Sequence, residues 1–248
     1  ITLSWPSQAY TSTTKSITVN LKAESNELQA KKLDINAGIG NDYLGFLMGQ
    51  FIYPYNNAGQ TTSYEVRDIA GIPDRRFGEI STQGGVSGYY YNNLYIPIVS
   101  VTGKIWLNNN LGAYYSNINS PAFNITQQAT SRSDINAYGS LYQWGRYSDG
   151  HELINWTTGS AINSSTNTLS SSDTPSNNLF IMSSDWRSTP NDNLWQGVNG
   201  INNPCPYSFR LYTEAELTAE IDAYSMFSGT AAADSFLAMP VAGFREFT

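Results

Sequence analysis

Short alternations of apolar and polar residues run through the first hundred positions. In "KSITVNLKA", Ile17, Val19 and Leu21 alternate with polar neighbours, the period-2 pattern of a strand with one buried face. "TSYEVRDIAGI" alternates in the same way. Between them lies a longer apolar run, Tyr43 to Tyr55, in which Gly45, Gly49 and Pro54 argue against one long helix. In "GYYYNNLYIPIVSV" two β-favouring runs flank Asn92-Asn93, which predicts a hairpin. "ESNELQAKKLDI" fits either a short helix or a strand with a turn. Short strands between Gly, Asn and Pro turns predict a β-sandwich-like module over residues 1–101. This part holds no His or Cys, and its acids are scattered singly.

The pattern shifts near Val101–Thr102. Beyond it Trp106, Trp144, Trp156, Trp186 and Trp195 appear, and Thr157–Asn178 is a long polar stretch too poor in apolar residues for a core element. A surface loop is expected there. One helix is predicted in "LYTEAELTAEIDAYS". Thr213 is a good N-cap, Glu216 three residues on completes a capping box, and Glu214 and Glu216 suit the positive end of the helix dipole. Leu217, Ile221 and Tyr224 would share one apolar face. No repeat at a solenoid period is visible.

Composition narrows the function classes. Only 13% of the 248 residues are charged, there are five lysines, and the net charge is −7. That balance argues against a nucleic-acid partner. No apolar run is long enough for a transmembrane helix. Ser, Thr and Asn number 29, 21 and 25, so uncharged groups must supply much of the polar surface. With 13% aromatic residues, the composition is that of a folded extracellular β-protein and not of a disordered chain. The chain begins at Ile1, with no basic segment leading into an apolar one, so removal of a signal or trimming is expected.

Several motifs resemble those of one known family. "GKIWLNNNLGA" (Gly103–Ala113), "AYGSLYQWGRYSDGHE" (Ala137–Glu152), "SSDWRSTPNDNLWQGVNGINNPCPYSFRLYTEAEL" (Ser183–Leu217) and "LAMPVAGFRE" (Leu237–Glu246) resemble the Fibrobacter succinogenes major paralogous domain. The resemblance covers residues 102–248. It implies a C-type-lectin-like α+β domain, akin to the formylglycine-generating and sulfatase-modifying fold, after the N-terminal module. It also implies secreted or surface location in bacteria, and closing strands beyond Thr248 that carry a partner for Cys205. Another chain supplying those strands would make the protein a subunit of an assembly. The chain departs from the family at Tyr207, Ser208 and Tyr212, where small residues, Gly and Pro are usual.

The candidate chemistry is sparse. His151 is the single histidine and Cys205 the single cysteine, too few for a structural zinc site. No G-x-S-x-G motif accompanies them. The paired copper-holding cysteines of formylglycine-generating enzymes are missing, so the chain is expected not to be an enzyme. Calcium is the one cofactor considered: Asp149, Asp173, Asp185 and Asp192, with Asn191 and Asn193, offer oxygen ligands, or act as turn formers. Trp156 and Trp186 flank the polar loop, where they stack on a sugar or anchor the loop. Trp106, Trp144 and Trp195 are expected in the core, and Arg187, Arg210 and Arg245 in buried ion pairs or stacked on aromatic rings inside the fold. Asn124, Asn155 and Asn163 begin Asn-x-Ser/Thr sequons.

These features lead to a non-catalytic surface or adhesion protein. Its expected partners are a second copy, another surface protein or a glycan. A phage fibre that binds a host receptor is the alternative.

Overall fold

The computed structural model describes residues 2–4, 20–22, 46–54, 61–68, 71–175, 177–225 and 228–246. The described residues up to 68 belong to one compact unit and those from 71 onward to a second. The division expected at 101/102 falls inside the second unit. There the strands on either side of it pair, Pro97–Val99 with Ile105–Leu107, around a turn closed by the Ser100 and Gly103 amides.

Among its described residues the first unit holds two antiparallel pairs. Strand β1 (Thr2–Ser4) pairs with β2 (Asn20–Lys22). Strand β3 (Phe46–Pro54) pairs with β4 (Thr61–Asp68), with a register shift between Leu47 and Gly49. The described part of the apolar run, Phe46–Pro54, is thus a strand and not the long helix that its glycines and proline argue against. Ile17, Val19 and the "ESNELQAKKLDI" segment lie outside the described residues.

The second unit contains short strands in two-stranded pairs. Strand β5 (Ile72–Pro73) pairs with β8 (Leu94–Tyr95), and β6 (Ser81–Gln83) with β7 (Val86–Gly88). Strand β9 (Pro97–Val99) pairs with β10 (Ile105–Leu107), and β11 (Ile154–Asn155) with β12 (Ser160–Ala161). Strand β13 (Ser165–Thr166) runs parallel to β14 (Phe180–Ile181). Helix α1 (Glu214–Tyr224) and the short α2 (Gly229–Asp234) follow. The fold is mainly β, in small sheets with few helices. Among the described residues no helix is long and apolar enough to cross a membrane.

The hairpin expected at Asn92-Asn93 does not form; the tight turn is Gly84-Gly85, between β6 and β7. Both asparagines are buried instead. Asn92 accepts from the Gly78 amide and donates to Asn119, and Asn93 bridges to Asn117. The Asn92 side chain and the Asn93 backbone thus tie distant loops together.

Helix α1 starts as predicted. The Glu216 amide donates to Thr213 Oγ1, and the Thr213 amide donates back to the Glu216 carboxylate. Leu217, Ile221 and Tyr224 are only half-buried, and the one fully buried position is Glu220. Its Oε1 accepts from the hydroxyls of Ser100 and Thr102 and from Trp106 Nε1. The helix is therefore fastened to the β9–β10 turn through a carboxylate as well as through its apolar side. Glu216 is held far below the usual carboxylate range, chiefly by Arg210, with the Thr213 amide and Lys104 adding to it.

Around β5 and β8 the core is apolar and acidic at once. Ile72 and Tyr95 are sealed, and Asp74 lies beside them. Burial pushes the Asp74 carboxyl up to about 6, against the opposing bonds from the Arg76 amide and Asn93. Its folded value lies above its unfolded one. Its contribution to stability is therefore present below about pH 4 and lost as the pH rises to about 6. The loss is on the order of 3 kcal/mol. The stability of Asp74→Asn relative to the native chain should rise by about that amount between pH 3.5 and pH 7.5. Urea unfolding at the two pH values measures it, and a difference independent of pH would refute it.

Candidate functional site

The segment Gln143–Arg146 organises the second unit. The Arg146 side chain is sealed from solvent and uses all five of its N–H donors. Nε and one Nη2 hydrogen reach Asp149 Oδ2, at 3.0 and 2.6 Å. Nη1 donates to Gln143 Oε1 and to the Leu179 carbonyl, and Nη2 also to the Asn177 carbonyl. One cation thus fixes the far end of the polar loop against the core. That loop is mostly exposed, as its composition predicts, but it carries β12 and β13 and a buried Asn163. Gln143 exchanges a pair of bonds with the Ile181 backbone, which locks β14 alongside.

His151 completes the network. The Gln143 amide donates to its Nε2 at 2.9 Å, so the ring proton resides on Nδ1. Nδ1 then donates to Asp149 Oδ1 at 2.8 Å, with Glu152 Oε2 at 3.1 Å. Glu152 also accepts from the Tyr91 hydroxyl and the Gly150 amide. Gly150 has φ of +113°, and a Cβ there would lie 2.0 Å from Gln83 Oε1, so only glycine closes this turn. The ligating atoms of Asp149, His151 and Glu152 lie within 4.8 Å of one another. Those atoms are already engaged, because a cation would have to displace the Nδ1 proton while Nε2 still faces an amide donor.

The four aspartates considered for calcium do not converge. Asp149 belongs to Arg146 and His151. Asp173 pairs with Arg187 and accepts from Asn191, while Asp185 accepts from the Arg187 amide. The Arg187 guanidinium supplies Asp173 with the positive charge that a calcium ion would bring. Asp192 and Asn193 are exposed, and Asn193 donates its amide to Asn191 Oδ1 in a local turn.

Of the tryptophans, Trp144 departs from its expected place. Trp186 is 4% exposed, packs with Ile181 and Leu194, and donates Nε1 to the Trp144 carbonyl. Trp156 donates Nε1 to the Gly139 carbonyl and meets Tyr138 edge-on. Both anchor loops, one of the two roles expected of them. Trp144, expected in the core, is 56% exposed. Trp195 lies 6.0 Å from it, ring to ring, and donates to the Arg146 carbonyl. Trp195 has φ of +67°, a left-handed conformation costly for a bulky residue.

Trp144 forms one wall of a cleft of about 370 Å³. Trp186, Asp185, Arg187 and Asn191 line its polar side, and Phe244 and Arg245 approach from the C-terminal segment. Phe244 is 78% exposed. Arg245 lies 4.0 Å over the Phe180 ring and donates to the His151 carbonyl. No protein-family model, curated protein or solved structure matches this chain. The cleft therefore stands on its own geometry. Of the three arginines expected in ion pairs or on rings inside the fold, Arg187 pairs with Asp173 and Arg245 lies over Phe180, whereas Arg210 pairs with Glu216 on the exposed surface. The exposure of Trp144 had no local signal in the sequence.

Cys205 is a buried free thiol. Burial pushes it up to about 12, with Arg75 pulling weakly the other way. At neutral pH such a thiol is a packing group, not a nucleophile.

Replacing Arg146 by Met leaves Asp149 uncompensated and the Asn177 and Leu179 carbonyls without their donor. Equilibrium unfolding should show a loss of about 3–5 kcal/mol, with the polar loop becoming protease-sensitive. A loss below about 1 kcal/mol would show that the network is not what holds the loop.

Proposed function

We propose that the chain is a non-catalytic binding or adhesion protein of the bacterial surface, and that the Trp144 cleft is its recognition site. The observation that carries this is an exposed indole presented by a strained neighbour over a rigid, fully hydrogen-bonded base. Binding sites characteristically join a few aromatic anchors to short polar groups, and Trp144 and Phe244 stand here beside Ser183, Ser184 and Asn191. The engagement of His151 and its acidic neighbours within the network supports binding over catalysis.

A C-type-lectin-like domain of the Fibrobacter major paralogous type, residing outside the cell, is part of the same proposal. Its support is the motif resemblance over residues 102–248 together with the Ser/Thr/Asn-rich, lysine-poor composition. Self-association is compatible with exposed apolar side chains such as Ile80, Val86 and Val101 on a weakly charged chain.

Screening the immobilised protein against arrays of glycans and bacterial or host surface proteins tests the central claim. Trp144→Ala should weaken the strongest ligand by about thirtyfold or more, the effect of losing a central aromatic anchor. Its melting temperature should remain near that of the parent, since the indole is mostly exposed. Unchanged binding in a folded variant would place recognition elsewhere.

A further inference from the structure

We propose that the cleft takes an acidic saccharide, its ring against Trp144 and its carboxylate on Arg245; this rests on the Trp144 cleft being the recognition site. Arg245 is held flat. Its guanidinium lies 4.0 Å over Phe180, and among the described residues its one hydrogen bond runs to the His151 carbonyl at 3.3 Å. No carboxylate of the described residues lies within ion-pair distance of it, whereas Arg146, Arg187 and Arg210 each have one. A guanidinium carries five donors in a planar fork that matches a carboxylate, so most of the Arg245 fork is left for a ligand. The residue is also half-withdrawn from water, so its remaining donors face less solvent than on an open surface.

The other cation of the cleft is already committed. Arg187 bonds Asp173, and its amide is capped by Asp185. Asp185 and Asn191 then offer acceptors and an amide to neutral hydroxyls, while Arg245 alone is left to meet an anion. The aromatic wall selects the rest of the ligand. An exposed indole attracts a ring with apolar C–H faces, and a cleft of about 370 Å³ has the size of a small-molecule site, about 300–1,000 Å³. The chain carries a net charge of −7, so long-range attraction does not bring an anion here. Recognition must be made at contact, by Arg245.

Titration calorimetry with methyl glucuronide and methyl glucoside tests the proposal on the native protein, because the two share a ring and differ in the carboxylate. The glucuronide should bind at least tenfold more tightly, with a preference that shrinks as salt rises. Arg245→Gln should bring the glucuronide down to the glucoside level, and Arg245→Lys should keep part of the preference. Trp144→Ala should weaken both sugars. Near-UV circular dichroism confirms that each variant is folded. Equal binding of the two sugars by the native protein overturns the proposal whether or not the variants fold. So does a preference that survives in folded Arg245→Gln, or no binding of either sugar. A neutral sugar or a protein ligand that is lost in Trp144→Ala would retain the cleft as the recognition site and remove the acidic saccharide.

Discussion

The fully hydrogen-bonded guanidinium of Arg146 is the interaction on which the second unit depends. A buried charge is unfavourable unless it is paired and its donors are met. Here the pairing comes from Asp149, and the remaining donors reach Gln143 and the carbonyls of Asn177 and Leu179. Each partner is then fixed by a further bond: Gln143 to Ile181, Asp149 to His151, His151 to the Gln143 amide. The loop of bonds closes on itself, so the same few residues set the position of β14, of the polar loop and of the cleft floor.

Such a network suits a fold with little regular structure. Strands of two or three residues leave many peptide groups without a ladder partner, and buried peptide groups must find one. Asparagine supplies it, since its amide both donates and accepts. Asn163 accepts from the Gly84 amide and donates to the Gly150 carbonyl. Asn108 links the Ile96 amide to the Ile125 carbonyl, and Asn203 takes the Cys205 amide while donating to Val198 and Phe209. These three side chains are buried. Part of the asparagine excess is therefore internal scaffolding and not polar surface, and the sequon at Asn163 begins on an amide that is already engaged.

What was legible in the sequence was local. The Thr213–Glu216 capping box, the exclusion of a long helix around Gly49 and Pro54 and the exposed polar loop all rest on neighbours a few residues away. What was not legible depends on distant partners. Nothing near Glu220 distinguishes it from a solvent-facing helix residue, yet its partners stand more than a hundred positions earlier, at Ser100, Thr102 and Trp106. Asn92-Asn93 has the chemistry of a turn and is recruited as a clamp instead. The sequence pattern did not separate the tryptophans either. Trp144 and Trp186 sit in motifs of equal weight, and only packing makes one a core residue and the other a wall of the cleft.

The strain at Trp195 follows from the same network. A bulky residue at φ of +67° costs on the order of 1–3 kcal/mol, and persists only where its surroundings over-determine it. Those constraints are present: its Nε1 donates to the Arg146 carbonyl, its amide to the Ile201 carbonyl, and its ring meets Tyr142 edge-on. An ordinary backbone conformation would break these bonds and withdraw the ring from Trp144. The stability supplied by the buried ion pair thus offsets a local distortion that keeps an apolar side chain in solvent. A core assembled for stability alone would turn Trp144 inward, beside the indole of Trp186 that already bonds its carbonyl. The network holds Trp144 outward, at a cleft where Arg245, without a carboxylate partner among the described residues, is also held flat.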